Sequence, residues 1–355
     1  MDDRLKQKRI AFWLLTGVGM LMVQVLLGGI TRLTGSGLSM TEWKPIMGFI
    51  PPTSDAEWHL AFEKYKEIGQ FKYLNQDFSL SNFKFIFFWE WFHRFWARFI
   101  AVVFVIPFIY FLVKRYFTFE TIKILLLLFG MGAAQGAIGW IMVLSGLNDE
   151  ALYVSHFKLA LHFISAMVLI AFTYWFALRL WLSDSVRVYQ PKLRKLTAWL
   201  LVLISVQLVY GAFMAGLKAG TMAPTWPSIN GDYFPEALSK HSLFSHGMNI
   251  HFIHRNLAYL LTILSLLWTI KAYKLSQVGA WNRWKWVPLA LVCMQVLLGI
   301  LTVLHASKIA RNSFGAFEYL AQAHQLVAML LAMSFVWAIF ILRSEKGLTQ
   351  TSSTH

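Results

Sequence analysis

"WEWFHRFWARFIAVVFVIPFIYFLV", residues 89–113, sets Glu90, His93, Arg94 and Arg98 among aromatic rings and then runs into hydrocarbon without a break. From His93 to Val113 the segment is long and apolar enough to cross a bilayer, with its ionisable groups gathered at one end. Blocks of this kind recur along the chain, at about 11–31, 93–113, 121–144, 157–182, 196–217, 249–271, 286–306 and 319–343. The 355 residues are 57% hydrophobic and only 14% charged, a balance that excludes an ordinary soluble domain. The expected fold is an all-α integral membrane protein with eight transmembrane helices. An even number of spans leaves both termini on one side.

The net charge of +15 would suit a nucleic-acid partner, but its distribution argues for a membrane surface instead. Lys and Arg gather in the N-terminal tail (Arg4, Lys6, Lys8, Arg9) and in alternate loops: Lys114, Arg115 and Lys123; Arg187, Lys192, Arg194 and Lys195; Lys271, Lys274, Arg283 and Lys285. The intervening "LSGLNDEALYVSH", residues 144–156, has neither. By the positive-inside rule both termini are cytoplasmic, and the basic loops face anionic lipid heads. The apolar run after "MDDRLKQKR" ends in "GGITRLTGSG" without a small-residue cleavage site, so it reads as a retained helix. The one cysteine, Cys293, falls mid-span and reads as a buried thiol used as a small apolar residue.

The chain is written twice. Gln24 and Gly28 of "QVLLG" recur as Gln207 and Gly211 of "QLVYG", and Gly37 and Trp43 recur as Gly220 and Trp226, all at an offset of 183. "QGAIG" at 135–139 recurs as "QVLLG" at 295–299, "FHR" at 92–94 as "IHR" at 253–255, and His162 as His324, at offsets of 160–162. Four spans per half make a parallel repeat about an axis along the membrane normal. Two pseudo-symmetric four-helix bundles are expected: 1–182, then a cytoplasmic linker at 183–195, then 196–343, with a tail at 344–355. Every odd-numbered span carries Gln-x-x-x-Gly. That motif reads as helix packing, glycine admitting a close approach and glutamine bonding across the interface, with direct ligand contact as the alternative.

Four of the eleven histidines lie in or at the start of even-numbered spans: His93, His162, His254 and His324. The topology places each within about two turns of its helix's outer end, in one layer near the outer face. Ionisable groups inside a span are costly and mark functional interiors. Two imidazoles facing each other across a four-helix bundle suit a haem, bound through iron from both sides. Zinc or copper would also take imidazole, but no cysteine accompanies these histidines and carboxylates are scarce in the spans. Trp89, Trp91 and Trp96 beside His93 suit a large flat ligand, and equally an interfacial aromatic belt.

Arginine follows histidine in both halves, as Arg94 and Arg255, placed to pair with haem propionates or else to reach lipid phosphates. The repeat is broken at Glu90, whose counterpart is His251. An acid in one half only points to different roles for two sites, one reacting and one carrying electrons. Glu90 there either shuttles protons or pairs with Arg94 or Arg98.

In "GGITRLTGSGLSMTEWKPIMGFIPP" (28–52), "EWFHR" (90–94), "LALH" (159–162), "FIHR" (252–255) and "AHQ" (323–325), the sequence resembles the haem A synthase family over nearly its whole length. Outer loops without cysteine resemble its proteobacterial and mitochondrial branch. The resemblance implies an oxidoreductase of the bacterial inner membrane that oxidises the C8 methyl of haem O to a formyl group, giving haem A for cytochrome oxidase. It implies haem b as cofactor on His254 and His324, substrate haem between His93 and His162, and Glu90 as the acid of the reacting site. Implied partners are the farnesyltransferase that makes haem O and a redox protein, and self-association stays open. His251 stands where the family pattern leads one to expect an uncharged polar residue. Rival readings are a di-haem electron-transfer cytochrome, which needs no difference between the halves, and a secondary transporter, which favours broken helices at the bilayer midplane.

Overall fold

The computed structural model describes residues 3–43, 47–183, 186–188, 190–275, 280–308 and 313–342. Among them eight helices are long and apolar enough to span a membrane: α1 (Asp3–Leu33), α2 (Leu80–Val113), α3 (Phe119–Leu144), α4 (His156–Trp181), α5 (Pro191–Gly216), α6 (Gly247–Tyr273), α7 (Val287–Leu304) and α8 (Ala316–Ile341). The protein is an all-helical integral membrane protein, because only structures that satisfy their own backbone hydrogen bonds cross hydrocarbon. Local chemistry sets the helix starts. Ser79 and Asn82 form a reciprocal capping box at α2, Thr118 accepts the Thr121 N–H at α3, and Pro191 and Pro288 sit in the first turns of α5 and α7, where their missing N–H is not needed. Residues 191–195 of the expected linker therefore belong to α5. Positions 184, 185 and 189 of that linker, and the tail at 344–355, lie outside the described residues.

The largest departure from the sequence reading is α2, which begins at Leu80 rather than near residue 93. Its 34 residues reach about 50 Å, well beyond a hydrocarbon core of about 30 Å. The extra turns persist because they are aromatic and find partners. Phe83 is fully buried against Phe62 and Tyr65 of the helix Asp55–Lys66, and Trp58 of that helix packs edge-on to Phe87. Burial pushes the Tyr65 hydroxyl up to about 12, the Asn75 hydrogen bond opposing this, so it stays neutral while donating to Gln70. His93 is thus nearly four turns from the start of α2, because the added turns lie ahead of it, while His162, His254 and His324 lie about two turns from their helix starts.

Helix α1 packs on α2 and α4, and α3 on α4, while α5 packs on α6 and α8, and α7 on α6 and α8. Contacts α1·α8, α4·α5 and α4·α8 join the two sets. One cluster of buried side chains runs through both, with Met167 and Ile170 of α4 meeting Leu200 of α5, Trp268 of α6 and Phe335 of α8. Lipid tails supply no hydrophobic drive between helices, so this close packing is itself the adhesive. Trp268 adds a buried hydrogen bond of 2.8 Å to Thr197. Cys293, expected inside, is exposed on α7. That helix turns most of its surface outward, so a small apolar residue there meets its surroundings and not a core.

Candidate functional site

Positions on α6 and α8 bring His254 and His324 together, with ring centroids 6.4 Å apart and planes inclined at 67°. Each ring lies against a glycine of the neighbouring odd-numbered helix. A methyl group at Gly211 of α5 would stand 3.3 Å from Cε1 of His254, and one at Gly299 of α7 would stand 3.0 Å from Cε1 of His324. The glutamine one turn earlier faces the same ring. Gln207 donates to the His254 carbonyl at 3.0 Å with its Nε2 3.4 Å from the imidazole Nε2, and Gln295 Nε2 is 3.1 Å from Nε2 of His324. His324 Nδ1 faces the Gln295 carbonyl at 3.1 Å. A carbonyl only accepts, so Nδ1 carries the proton and Nε2 keeps its lone pair.

The first half repeats the arrangement. A methyl group at Gly28 of α1 would meet Nε2 of His93 at 3.3 Å, and one at Gly139 of α3 would meet Cε1 of His162 at 2.9 Å. Gln24 donates to the His93 carbonyl at 3.2 Å. The Gln-x-x-x-Gly motif is therefore packing of a particular kind, in which the glycine admits an imidazole ring. The side-chain carbonyls of Gln24, Gln135, Gln207 and Gln295 are all buried without a hydrogen-bond partner, as are Nδ1 of His162 and of His254. Orphaned polar atoms at repeat-related positions mark a functional interior, since a plain core satisfies them.

Glu90 is buried on α2, its side chain 3% exposed, and is fully engaged. It pairs with Arg94, while Ser39 Oγ and the Met40 N–H donate to its Oε2 at 2.7 and 2.8 Å. Arg94 also donates to the carbonyls of Met40 and Glu42, at 3.1 and 3.2 Å, and lies over Trp140. In the second half Arg255 donates to the carbonyls of Ala223 and Thr225, which follow Met40 and Glu42 at the same offset of 183 that relates Gly37 to Gly220. It also reaches the Ser228 carbonyl at 3.0 Å. The place of Glu90 is taken by His251, whose Nε2 accepts from Arg255 Nε at 3.0 Å. Both arginines thus fasten the loop after the first helix of their half. The sequence pointed to neither set of carbonyl acceptors, nor to Ser39, nor to a role for His251.

The tryptophans of the opening stretch also act as fasteners: Trp96 donates to the Met20 carbonyl of α1 at 3.0 Å, and Trp91 to the Phe49 carbonyl at 3.2 Å. Trp89 packs edge-on to Phe314.

Helix α1 is a wall common to both sites. Gly28 receives His93 on one side, and the adjacent Gly29 leaves room for Gln322 and Gln325, which flank His324 and donate to the carbonyls of Leu26 and Val25 at 3.2 and 2.9 Å. Arg32, further along α1, donates to the Ala215 carbonyl at the end of α5.

These residues fit a haem. A metal–imidazole bond is about 2 Å and a ring nitrogen lies about 1 Å from the ring centre, so two imidazoles on one metal ion have centroids about 6 Å apart. His254 and His324 meet that spacing. Among the described residues no group of three or more His, Cys, Asp or Glu could hold a metal ion.

Residues 11–345 match the COX15-CtaA family, described as cytochrome oxidase assembly protein. The chain is 40% identical over 345 residues to the haem A synthase of Flavobacterium psychrophilum, covering 94% of this chain and 97% of the relative. It is 40% identical over 330 residues to that of Rhodopseudomonas palustris (91% and 86% covered) and 38% identical over 332 residues to that of Paracoccus denitrificans (91% and 84%). The chain belongs to the COX15-CtaA family of cytochrome oxidase assembly proteins.

Proposed function

We propose that the chain is a haem A synthase: an oxidoreductase that takes haem O and oxidises its C8 methyl group to formyl, yielding haem A for cytochrome oxidase. The observation that carries the proposal is a histidine seated on a glycine on each of the four even-numbered helices, with the buried carboxylate of Glu90 in one half where the other half has His251. Full-length similarity to haem A synthases supports the same reading. The two halves, 1–182 and 196–343, serve as substrate and cofactor bundles. A di-haem carrier needs the histidines but has no use for Glu90 at only one of them.

In this account His254 and His324 hold haem b, which when bound supplies one-electron redox chemistry. The Gln295 carbonyl orients His324, and Gly211 and Gly299 leave the rings space. His93 and His162 receive the iron of substrate haem O. Arg255, whose partner His251 is an uncharged ring, puts positive charge beside its site, where haem carboxylates are drawn, whereas the charge of Arg94 is offset by Glu90. Glu90 is the one carboxylate in position to take up protons as the methyl group is oxidised. Orientation follows the distribution of Lys and Arg: both termini cytoplasmic in a bacterial inner membrane, with both sites toward the outer face. The farnesyltransferase that supplies haem O and a redox protein are the partners this chemistry requires.

Glu90→Gln tests the assignment. The amide oxygen can still accept from Ser39 and Met40, but its NH2 meets Arg94 and it no longer takes a proton, so retention of haem b is the control that the loop stays in place. The expected result is retention of haem b with a fall in haem A formation of about 100-fold, read by chromatography of extracted haems. Unchanged conversion would leave Glu90 with the loop-holding role alone.

A further inference from the structure

Far from the histidines, at the end of the helices that carries the N-terminus, α1, α2 and α4 border a shallow, open apolar groove of about 530 Å³. Its origin is Pro107 of α2. Proline has no N–H, and its ring crowds the carbonyl four residues earlier, so the Val103 carbonyl loses its place in the helical ladder. The indole of Trp13 donates to that carbonyl at 3.1 Å and so fixes one wall, stacking on against Phe104 and Phe111. Phe12, 66% exposed, and Thr16 present the side of α1 that faces the groove, and Trp181 of α4 stands at its edge.

The rim is cationic. Lys8 and Arg9 line the opening, Arg9 is steadied by the Tyr116 hydroxyl at 3.0 Å, and Arg4 donates to the Trp181 carbonyl at 2.9 Å. Asp3, the acid nearest in sequence, is taken up by Lys6. A hydrocarbon-lined cleft opening beneath two cations at a helix end is complementary to a molecule with an apolar chain and a phosphate head, as basic pockets between membrane helices are.

We propose that this groove is a binding site for an anionic phospholipid of the leaflet on the N-terminal side, an acyl chain lying along Phe12, Trp13 and Pro107 and the phosphate meeting Lys8 and Arg9. The site is separate from the haem reading and does not rest on it.

The test uses the full chain purified in detergent, with phosphatidylglycerol or phosphatidylcholine of identical chains added and bound lipid counted by native mass spectrometry. The wild type is expected to prefer phosphatidylglycerol by about tenfold, each cation near the surface contributing on the order of 1 kcal/mol before detergent and salt weaken it. Lys8→Gln with Arg9→Gln removes the preference. Thr16→Trp, which fills the groove and leaves the charges alone, lowers binding of both lipids. Helix content by circular dichroism confirms that the variants fold. Equal binding of the two lipids by the wild type, a preference that survives Lys8→Gln with Arg9→Gln, or undiminished binding by Thr16→Trp would overturn the proposal.

Discussion

His254→Ala, and separately His324→Ala, is expected to strip the resident haem from the purified protein, taking the Soret band from stoichiometric to undetectable. A lone imidazole leaves the macrocycle with one axial bond and a hole on the opposite face, in a site whose two rings are spaced for one ion between them. His93→Ala and His162→Ala are expected to do the reverse: the Soret band stays, and conversion of haem O falls at least about 100-fold, because in the proposed function these residues hold substrate and not cofactor. The four variants together locate resident and exchanging haem in one experiment. The opposite pattern would exchange the roles of the halves.

The glycines give the second large effect. Gly299→Leu drives a branched side chain into the place of the His324 ring, which already stands 3.0 Å from where a Cβ would be. Overpacking of this kind costs about 1–3 kcal/mol in a well-packed interior, and here the group displaced is the proposed iron ligand, so loss of haem b is expected. Gly139→Leu, with a Cβ 2.9 Å from Cε1 of His162, is expected to keep haem b and abolish conversion. Gly130→Leu on the same helix is the control, because a Cβ there meets nothing within 4 Å. Leucine is also the better helix former by under about 1 kcal/mol. If Gly130→Leu and Gly139→Leu behaved alike, the glycine seat would be only a feature of helix packing.

Hydropathy and repeat spacing made the eight spans and the four histidines legible, since both are written as runs and offsets along the chain. What escaped the sequence acts across the chain through groups that carry no letter. The partners of Arg94 and Arg255 are backbone carbonyls of the 40–42 and 223–228 loops, and any residue supplies a carbonyl. The approach of Gly28 to His93 joins positions 65 apart and looks, from the motif alone, like backbone contact. The aromatic stretch from Leu80 to Phe92 is not apolar enough to count as a span, yet it is helical because the helix Asp55–Lys66 covers it. His251 looked out of place until Arg255 Nε was found on its ring. It does for that arginine, as a neutral acceptor, what Glu90 does for Arg94 as an anion.

The loop contacts refine the question of Glu90. Its pairing with Arg94 and its proton-handling role were alternatives in the sequence. The structure shows the pairing, with Ser39 and Met40 donating to the other carboxylate oxygen. A buried anion whose repeat-related position holds a neutral ring is a difference in charge between two otherwise parallel sites, and it is the difference on which the assignment of reacting and resident haem rests.

Co-expression with a source of haem O in cells lacking their own synthase, followed by extraction and chromatography of total haem, separates a synthase from an electron carrier. The expectation is that haem A appears with the wild-type chain and is absent with Glu90→Gln and His93→Ala. Accumulation of haem O with no haem A, from a protein that carries haem b and is folded in the membrane, would contradict it and leave an electron carrier.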